Sequence, residues 1–231
     1  MSTLKLLSAG AVKGGVAQIA AAFGREHGYA VNVEFTQVPK LRARVSAGEQ
    51  VDVVVATQGA LKDFEAQGKI FGATLGLVGR SRVGVLVHAD ATAPDVSDAE
   101  AFKRALLAAT HVVHNDASSG VYVAGLLEKL GLKALLGDRI VVVNSGSAIN
   151  TMVAEMGPGA IGMGQISEIQ VMISKGCSVK LVAPLPDAIQ NISTYYTAAM
   201  VASTAPGPAA ALAQALTDEA AKTVFAATGI D

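Results

Sequence analysis

The sequence predicts an α/β chain of two lobes, each a mixed, mostly parallel sheet flanked by helices, with hinge strands running between the lobes. Three observations predict it. Short β-branched runs alternate with longer stretches of helical spacing, the pattern of a sheet covered on both faces. The elements are numerous enough to fit two small sheets better than one wide one. No Gly/Ser-rich or Pro-rich linker separates the halves, so strands near 77–85 and 195–201 must themselves carry the chain from one lobe to the other.

In order along the chain, residues 4–7 read as a first strand. Residues 12–26 follow with Val16, Ile19, Ala20 and Phe23 at helical spacing. Residues 31–35 alternate as a half-buried strand does. Residues 39–47 form a short helix that stops at Gly48. Residues 51–56 read as one apolar run broken only by Asp52, as in a buried parallel strand, and 60–67 form the next helix. After Arg80-Ser81-Arg82 comes a strand at 83–88. A helix at 97–109 carries Ser97 as N-cap with Glu100 three residues on, a capping box. Strands at 111–114, 140–143, 160–163 and 179–182 then alternate with helices at 120–130, 148–156 and 165–175. A long strand at 195–202 precedes one final amphipathic helix over 208–227, introduced by Pro206-Gly207-Pro208. No internal repeat is evident.

Composition narrows the function. Hydrophobic residues make up 51% and charged residues 16%, enough for a large core. Eighteen Lys and Arg against 19 Asp and Glu, with no basic run, leave no electrostatic footprint for nucleic acid. The single cysteine, Cys177, permits no internal disulfide and reads as a small residue near a turn. No metal-ligand spacing occurs, and no cofactor motif, so neither a metal nor a cofactor is expected. The start, Met1 to Ser8, lacks the basic and apolar regions of a secretory signal, and no stretch is apolar enough to span a bilayer. The expected location is therefore cytoplasmic as written, or periplasmic if an export signal has been removed.

The chemistry sits in four turns of one form, in which a strand runs into small or hydroxyl residues and then a helix. They are Ser8-Ala9-Gly10-Ala11, Thr36-Gln37-Val38-Pro39, Asn115 to Gly120 and Asn144-Ser145-Gly146-Ser147. In open α/β sheets, ligands lie beyond the carboxyl ends of the strands at such turns. Helix N-termini offer unbonded N–H groups and a partial positive charge, which together favour anions. Any one of these turns also reads as an ordinary cap. The expected ligand is therefore a small anion, met by Ala9, Gly10, Ala11, Val38, Ser118, Ser119, Gly146 and Ser147. Lys13 and Lys40 lie beside the first two turns, and Arg42 and Arg44 follow, as cations for carboxylates. Gln165 and Ser167 follow the strand at 160–163, and Gln165 is an orienting group or a cap. Tyr122 reads as ligand contact or packing. Arg80 and Arg82 lie near a crossing between lobes or in surface ion pairs.

The stretch Ser8-Ala9-Gly10-Ala11, followed by Gln18 to Phe23, resembles the start of the molybdate-binding proteins of ABC importers. So do residues 41–48 leading into Val51 to Ala56. Ser119-Gly120-Val121-Tyr122 through Leu126 to Gly131 is similar to that family's second-lobe helix, and Gly159-Ala160-Ile161-Gly162 also matches. The resemblance runs along nearly the whole chain. It implies a type II periplasmic-binding-protein fold with discontinuous lobes, residues 1–79 with 200–231 and residues 80–199, and a ligand cleft between them. It also implies an ABC permease as partner if the chain is exported. The family's oxyanion site uses hydroxyls after the first strand and at the second helix. The matching positions here are Ala11 and Val38-Pro39-Lys40, and the family's tyrosine falls at Met163. A buried dianion with unmet hydrogen bonds is costly, which argues against molybdate itself. Gly164-Gln165-Ile166-Ser167-Glu168-Ile169 and Pro184-Leu185-Pro186 are similar to a branch that includes aconitate isomerase.

Two functions follow. One is a receptor that closes on an organic polycarboxylate or an oxyanion. The other is an isomerase that shifts a proton in a small unsaturated polycarboxylate. Such a shift needs one group to remove a proton and one to return it. Lys13, His114, Asp116 and Glu168 are candidates, and His88 also ends a strand where such a group could sit.

Overall fold

The computed structural model describes residues 3–231; Met1 and Ser2, where the reading of the N-terminus begins, lie outside them. The chain divides into two compact units. The first runs to Ser81 and resumes with Ser193–Asp231, and the second is Arg82–Ile192.

In the first unit three parallel strands, β1 (Thr3–Ala9), β2 (Ala30–Thr36) and β3 (Val53–Thr57), stand in the order β2-β1-β3. Next to β3 lies β9 (Ile192–Ala199), antiparallel, with Val53 opposite Ala199 and Thr57 opposite Tyr195. Five residues of β9 thus pair with β3. The boundary between units consequently falls at Ser193, whereas the sequence placed it after 199. β4 (Gly76–His88), within which the chain leaves the unit, neighbours β9.

The continuous apolar run of β3 has a direct cause. Val53 and Val55 face a core with Leu4, Leu6, Val16, Phe23, Leu212 and Phe225. Val54 and Ala56 face the other core, with Leu7, Leu41, Leu61 and Phe64. Both faces are covered, so no position is left for a polar residue. β2 is the edge strand, and its alternation survives as a half-buried pattern.

Helix α1 (Lys13–His27) buries Val16, Ile19 and Phe23 and ends on Gly28 at φ 74°, a left-handed cap that glycine adopts without strain. α2 (Val38–Ser46) and α3 (Gln58–Ala66) cover the opposite face through Leu41, Val45, Leu61 and Phe64. The predicted final helix is two helices, α9 (Pro206–Ala215) and α10 (Glu219–Ala227). Asp218 accepts from Ala221 N at 2.7 Å and starts the second, while Thr217 Oγ1 donates to Gln214 O at 2.9 Å. These local bonds end α9 where the apolar pattern alone runs on.

The second unit repeats this layout without repeating the sequence. β5 (His111–Asn115), β6 (Ile140–Val143) and β7 (Ala160–Gln165) are parallel in the order β6-β5-β7. β4 lies antiparallel beyond β7, with Val83 opposite Gln165, and β8 (Val179–Pro184) pairs with β4. Thus each unit has a first strand at its centre, a second at its edge, a third on the other side, and then an antiparallel neighbour. α5 (Ser118–Lys129), α7 (Gly146–Met156) and α8 (Ile166–Ser174) follow β5, β6 and β7, and the short α6 (Lys133–Leu136) lies between α5 and β6. α4 (Ala99–Ala108) is capped by Asp98, whose carboxylate accepts from Ala101 N at 2.7 Å, and not by Ser97 as the capping box predicted. Ser97 N is engaged instead by Asp95 Oδ1 at 3.0 Å.

Candidate functional site

Parallel pairing dictates where the helices begin. In the first unit β1, β2 and β3 point the same way, so the helices after them start at one edge of the sheet, the carboxyl edge. A short 3-10 turn, Gly10–Val12, leads there into α1, and α2 and α3 start beside it. Ala9 closes β1 and is buried, Gly10 and Ala11 form the turn, and Lys13 opens α1. Val38 opens α2 with Lys40 two residues on and exposed. The residues preceding these starts, Ala9, Gln37 and Thr57, place no side chain on the first amides. The third terminus, at Thr57 and Gln58, was not singled out from sequence. Its signal was a hydroxyl residue closing the most apolar run of the chain.

The second unit has the same edge. α5, α7 and α8 start where β5, β6 and β7 end. Ser118 and Ser119 are the first residues of α5, the former exposed and the latter buried. Gly146 and Ser147 open α7, and Gln165 precedes α8. Ala117 and Gln165 do not cap their helices with side chains. Ser145 does, accepting from Ala148 N at 3.2 Å. α5 sits very close to its strand: a Cβ built on Gly120 would lie 1.6 Å from Asn115 O, so only glycine fits there. Asn115 Oδ1 shapes the turn by accepting from Ala117 N at 3.2 Å.

The charged and aromatic candidates sort by partner. Arg42 pairs with Asp63, and Arg44 holds Glu49 and, at 2.6 Å, Glu34. The two carboxylates hold the Arg44 guanidinium firmly protonated, and Arg44 holds the Glu49 carboxyl below its usual range. Both arginines are thus committed to carboxylates of their own unit. Arg82 lies 3.8 Å from Asp187. The Tyr122 ring packs in the second unit's core and its hydroxyl donates to Ile189 O at 2.9 Å; burial pushes the phenol up. His114 is buried with Nδ1 2.8 Å from Asn115 O, and His88 Nδ1 accepts from Asp90 N at 3.2 Å, so both rings are engaged by local backbone. Asp116 is exposed. Glu168, in the first turn of α8, reaches the start of α7: a Cβ on Gly146 would lie 1.7 Å from Glu168 Oε2.

Among the described residues, no group of three or more His, Cys, Asp or Glu is placed to hold a metal, and no helix is long and apolar enough to cross a membrane. Cys177 is half-buried against the second unit's smaller core.

Two sheets of this topology, each presenting three helix starts at one edge, define a binding protein of the two-unit α/β type. The chain belongs to the bacterial extracellular solute-binding proteins, whose family model matches residues 4–231. It is similar to an aconitate isomerase from a Pseudomonas species, with 27% identity over 235 residues, 97% of this chain and 86% of that protein. In structure it is similar to the periplasmic molybdate-binding protein of Azotobacter vinelandii, with TM-score 0.76 and 18% identity over 99% of this chain and 98% of that one. It is likewise similar to a sulfate-binding protein of Mycobacterium tuberculosis, with TM-score 0.75 and 18% identity over 100% of this chain and 86% of that one. The fold is therefore the type II periplasmic-binding-protein fold that the sequence predicted.

Proposed function

We propose that the protein is a receptor for one small anion, an organic polycarboxylate or an oxyanion, held at helix starts on a carboxyl sheet edge. The observation that carries this reading is the doubled edge. In each unit three helices start at one line of strand ends, and five of the six starts are not capped by the side chain before them. Unbonded amides and aligned dipoles at such starts favour negative charge. Lys13 and Lys40 add positive charge at the first edge. The structural relatives bind molybdate and sulfate. On this reading the protein works outside the cytoplasm and passes its ligand to an ABC permease.

Thermal unfolding in the presence of molybdate, tungstate, sulfate, citrate and the two aconitates tests it. A ligand at a hundred times its Kd stabilises the folded state by about 2.7 kcal/mol. For a chain of this size that is a rise of about 5–10 °C in Tm. Failure of every anion to raise Tm would remove the reading.

A second reading has one specific support, the similarity to aconitate isomerase along 97% of the chain. The same edges would then hold an unsaturated polycarboxylate while a proton moves within it. Of the four proton-transfer candidates, Lys13 and Glu168 stand at helix starts, whereas the His114 ring is engaged by Asn115 O. Conversion of trans-aconitate followed by proton NMR decides between the readings. Stoichiometric protein without conversion excludes that substrate.

A further inference from the structure

We propose that the helix-covered face of the first unit carries a second binding site, apart from the carboxyl edge, for an α-amino acid with an apolar side chain. A cavity of about 790 Å³ runs between α1 and the pair α9 and α10, all three within that unit. Small-molecule sites commonly measure about 300–1,000 Å³. The cavity follows α1 from Gln18 to His27, about 14 Å of helix. It begins about 7 Å along the axis from Lys13, where α1 leaves the carboxyl edge, and runs away from that edge. It is therefore separate from the anion-binding helix starts, and this inference stands without them.

The lining divides into an apolar body and a charged end. Ile19, Phe23 and Ala221 form an apolar floor, and each is part of the buried core. Ala22 lines the same stretch of α1 and is exposed. On α1 the charges are all at one end, at Arg25, Glu26 and His27, and Asp218 adds a carboxylate from the corner between α9 and α10. His27 is partly committed: its Nδ1 donates to Phe23 O at 3.2 Å and its ring stacks on Phe23 with centroids 4.2 Å apart. Asp218 Oδ1 accepts from Ala221 N at 2.7 Å. Arg25 and Glu26, by contrast, are bonded to no other side chain among the described residues. A guanidinium and two carboxylates thus line one cavity without neutralising one another.

That arrangement selects by charge. A simple anion gains from Arg25 and is repelled by Glu26 and Asp218, and a simple cation meets the reverse. An α-amino acid carries a carboxylate and an ammonium on one carbon. Its carboxylate matches the fork of Arg25, and its ammonium supplies three donors to carboxylates that can only accept. An apolar side chain attached to the same carbon then covers the floor at Ile19 and Phe23 and removes it from water.

Titration of the whole chain with L-phenylalanine and with L-leucine, followed by amide NMR, tests the proposal. Saturable shifts are expected at Ala22, Ala221 and Val224. Phenylalanine should bind about tenfold more tightly than phenylalaninamide, which lacks the carboxylate, and than 3-phenylpropionate, which lacks the ammonium. Arg25→Gln should bring phenylalanine down to the level of its amide. Ala22→Leu should fill the cavity and abolish the shifts. Both positions are exposed, so thermal unfolding of the two variants should match the wild type. Absence of saturable shifts from both amino acids at millimolar concentration overturns the proposal, as do derivatives that bind as tightly as phenylalanine. Shifts that survive Ala22→Leu, or that fall only at the helix starts of the carboxyl edge, also overturn it, because the amino acid would then occupy another place.

Discussion

Gly120 and Gly125 lie on the same helix, α5, and replacing each by alanine should move stability in opposite directions. A Cβ on Gly120 would stand 1.6 Å from Asn115 O and 2.4 Å from both its carbonyl carbon and Oδ1. Ordinary contact begins at 3.4 Å, so the shortfall is 1.8 Å, and the obstacle is backbone at the end of a buried strand. Relief requires α5 to lift from β5 and breaks the turn bond from Ala117 N to Asn115 Oδ1. A forced backbone shift of this kind costs about 3 kcal/mol or more. Gly125 is exposed, and its built Cβ meets nothing within 4 Å. There alanine removes only the entropic penalty of glycine in a helix, a gain of about 1 kcal/mol. At about 2–4 °C per kcal/mol for a chain of this length, Gly120→Ala should lower Tm by about 6–12 °C, and Gly125→Ala should raise it by about 2–4 °C. Scanning calorimetry of the three proteins reads both. A Gly120→Ala protein as stable as the wild type would refute the close packing of α5 on β5.

Three further outcomes are expected. Phe225→Ala empties a site in the first unit where the ring is 1% exposed and lies against Gly15, and should cost about 3–5 kcal/mol in urea unfolding. Gln190→Ala removes a clamp in which the amide exchanges bonds of 2.9 and 3.0 Å with Val83 N and O and donates to Leu185 O at 3.0 Å. The loss should be about 2–4 kcal/mol by the same assay. Arg44→Ala should raise the Glu49 carboxyl toward its ordinary value, seen in a carbon-13 NMR titration. The sign follows from the depressed pKa: the pairing with Arg44 is in place above the ordinary glutamate range and lost as pH falls through the lowered value. An unchanged titration would mean that the pair does not persist in solution.

What could be read in the sequence was what local spacing encodes. The run at 51–56 announced a strand buried on two faces, and the spacing of Val16, Ile19 and Phe23 announced a helix with one buried face. The turns at Ser8 to Ala11 and Asn144 to Ser147 were visible because small and hydroxyl residues between a strand and a helix leave few other conformations. What could not be read depended on partners far away in the chain. Arg42 and Arg44 looked available until Asp63, Glu34 and Glu49 were placed beside them. The break before α10 turned on one aspartate whose capping bond competes with an unbroken apolar pattern. Glu168 stood out from sequence only as a carboxylate near a turn. Its position over Gly146 requires two helix starts to meet, and spacing along the chain carries no record of that.

The discontinuity of the first unit has a consequence for biosynthesis. The second unit is one uninterrupted stretch and possesses all its strands by residue 192. The first unit is made earlier but lacks β9, α9 and α10 until the last residues emerge. Meanwhile β3, with Val53 to Ala56 fully buried in the finished protein, offers an unpaired apolar edge of the kind that recruits stray strands. Pairing of Val53 with Ala199 also closes a long loop, which slows folding. The nascent chain therefore completes its middle before its beginning, and the interval between the two is when it is most exposed to aggregation and most in need of a chaperone.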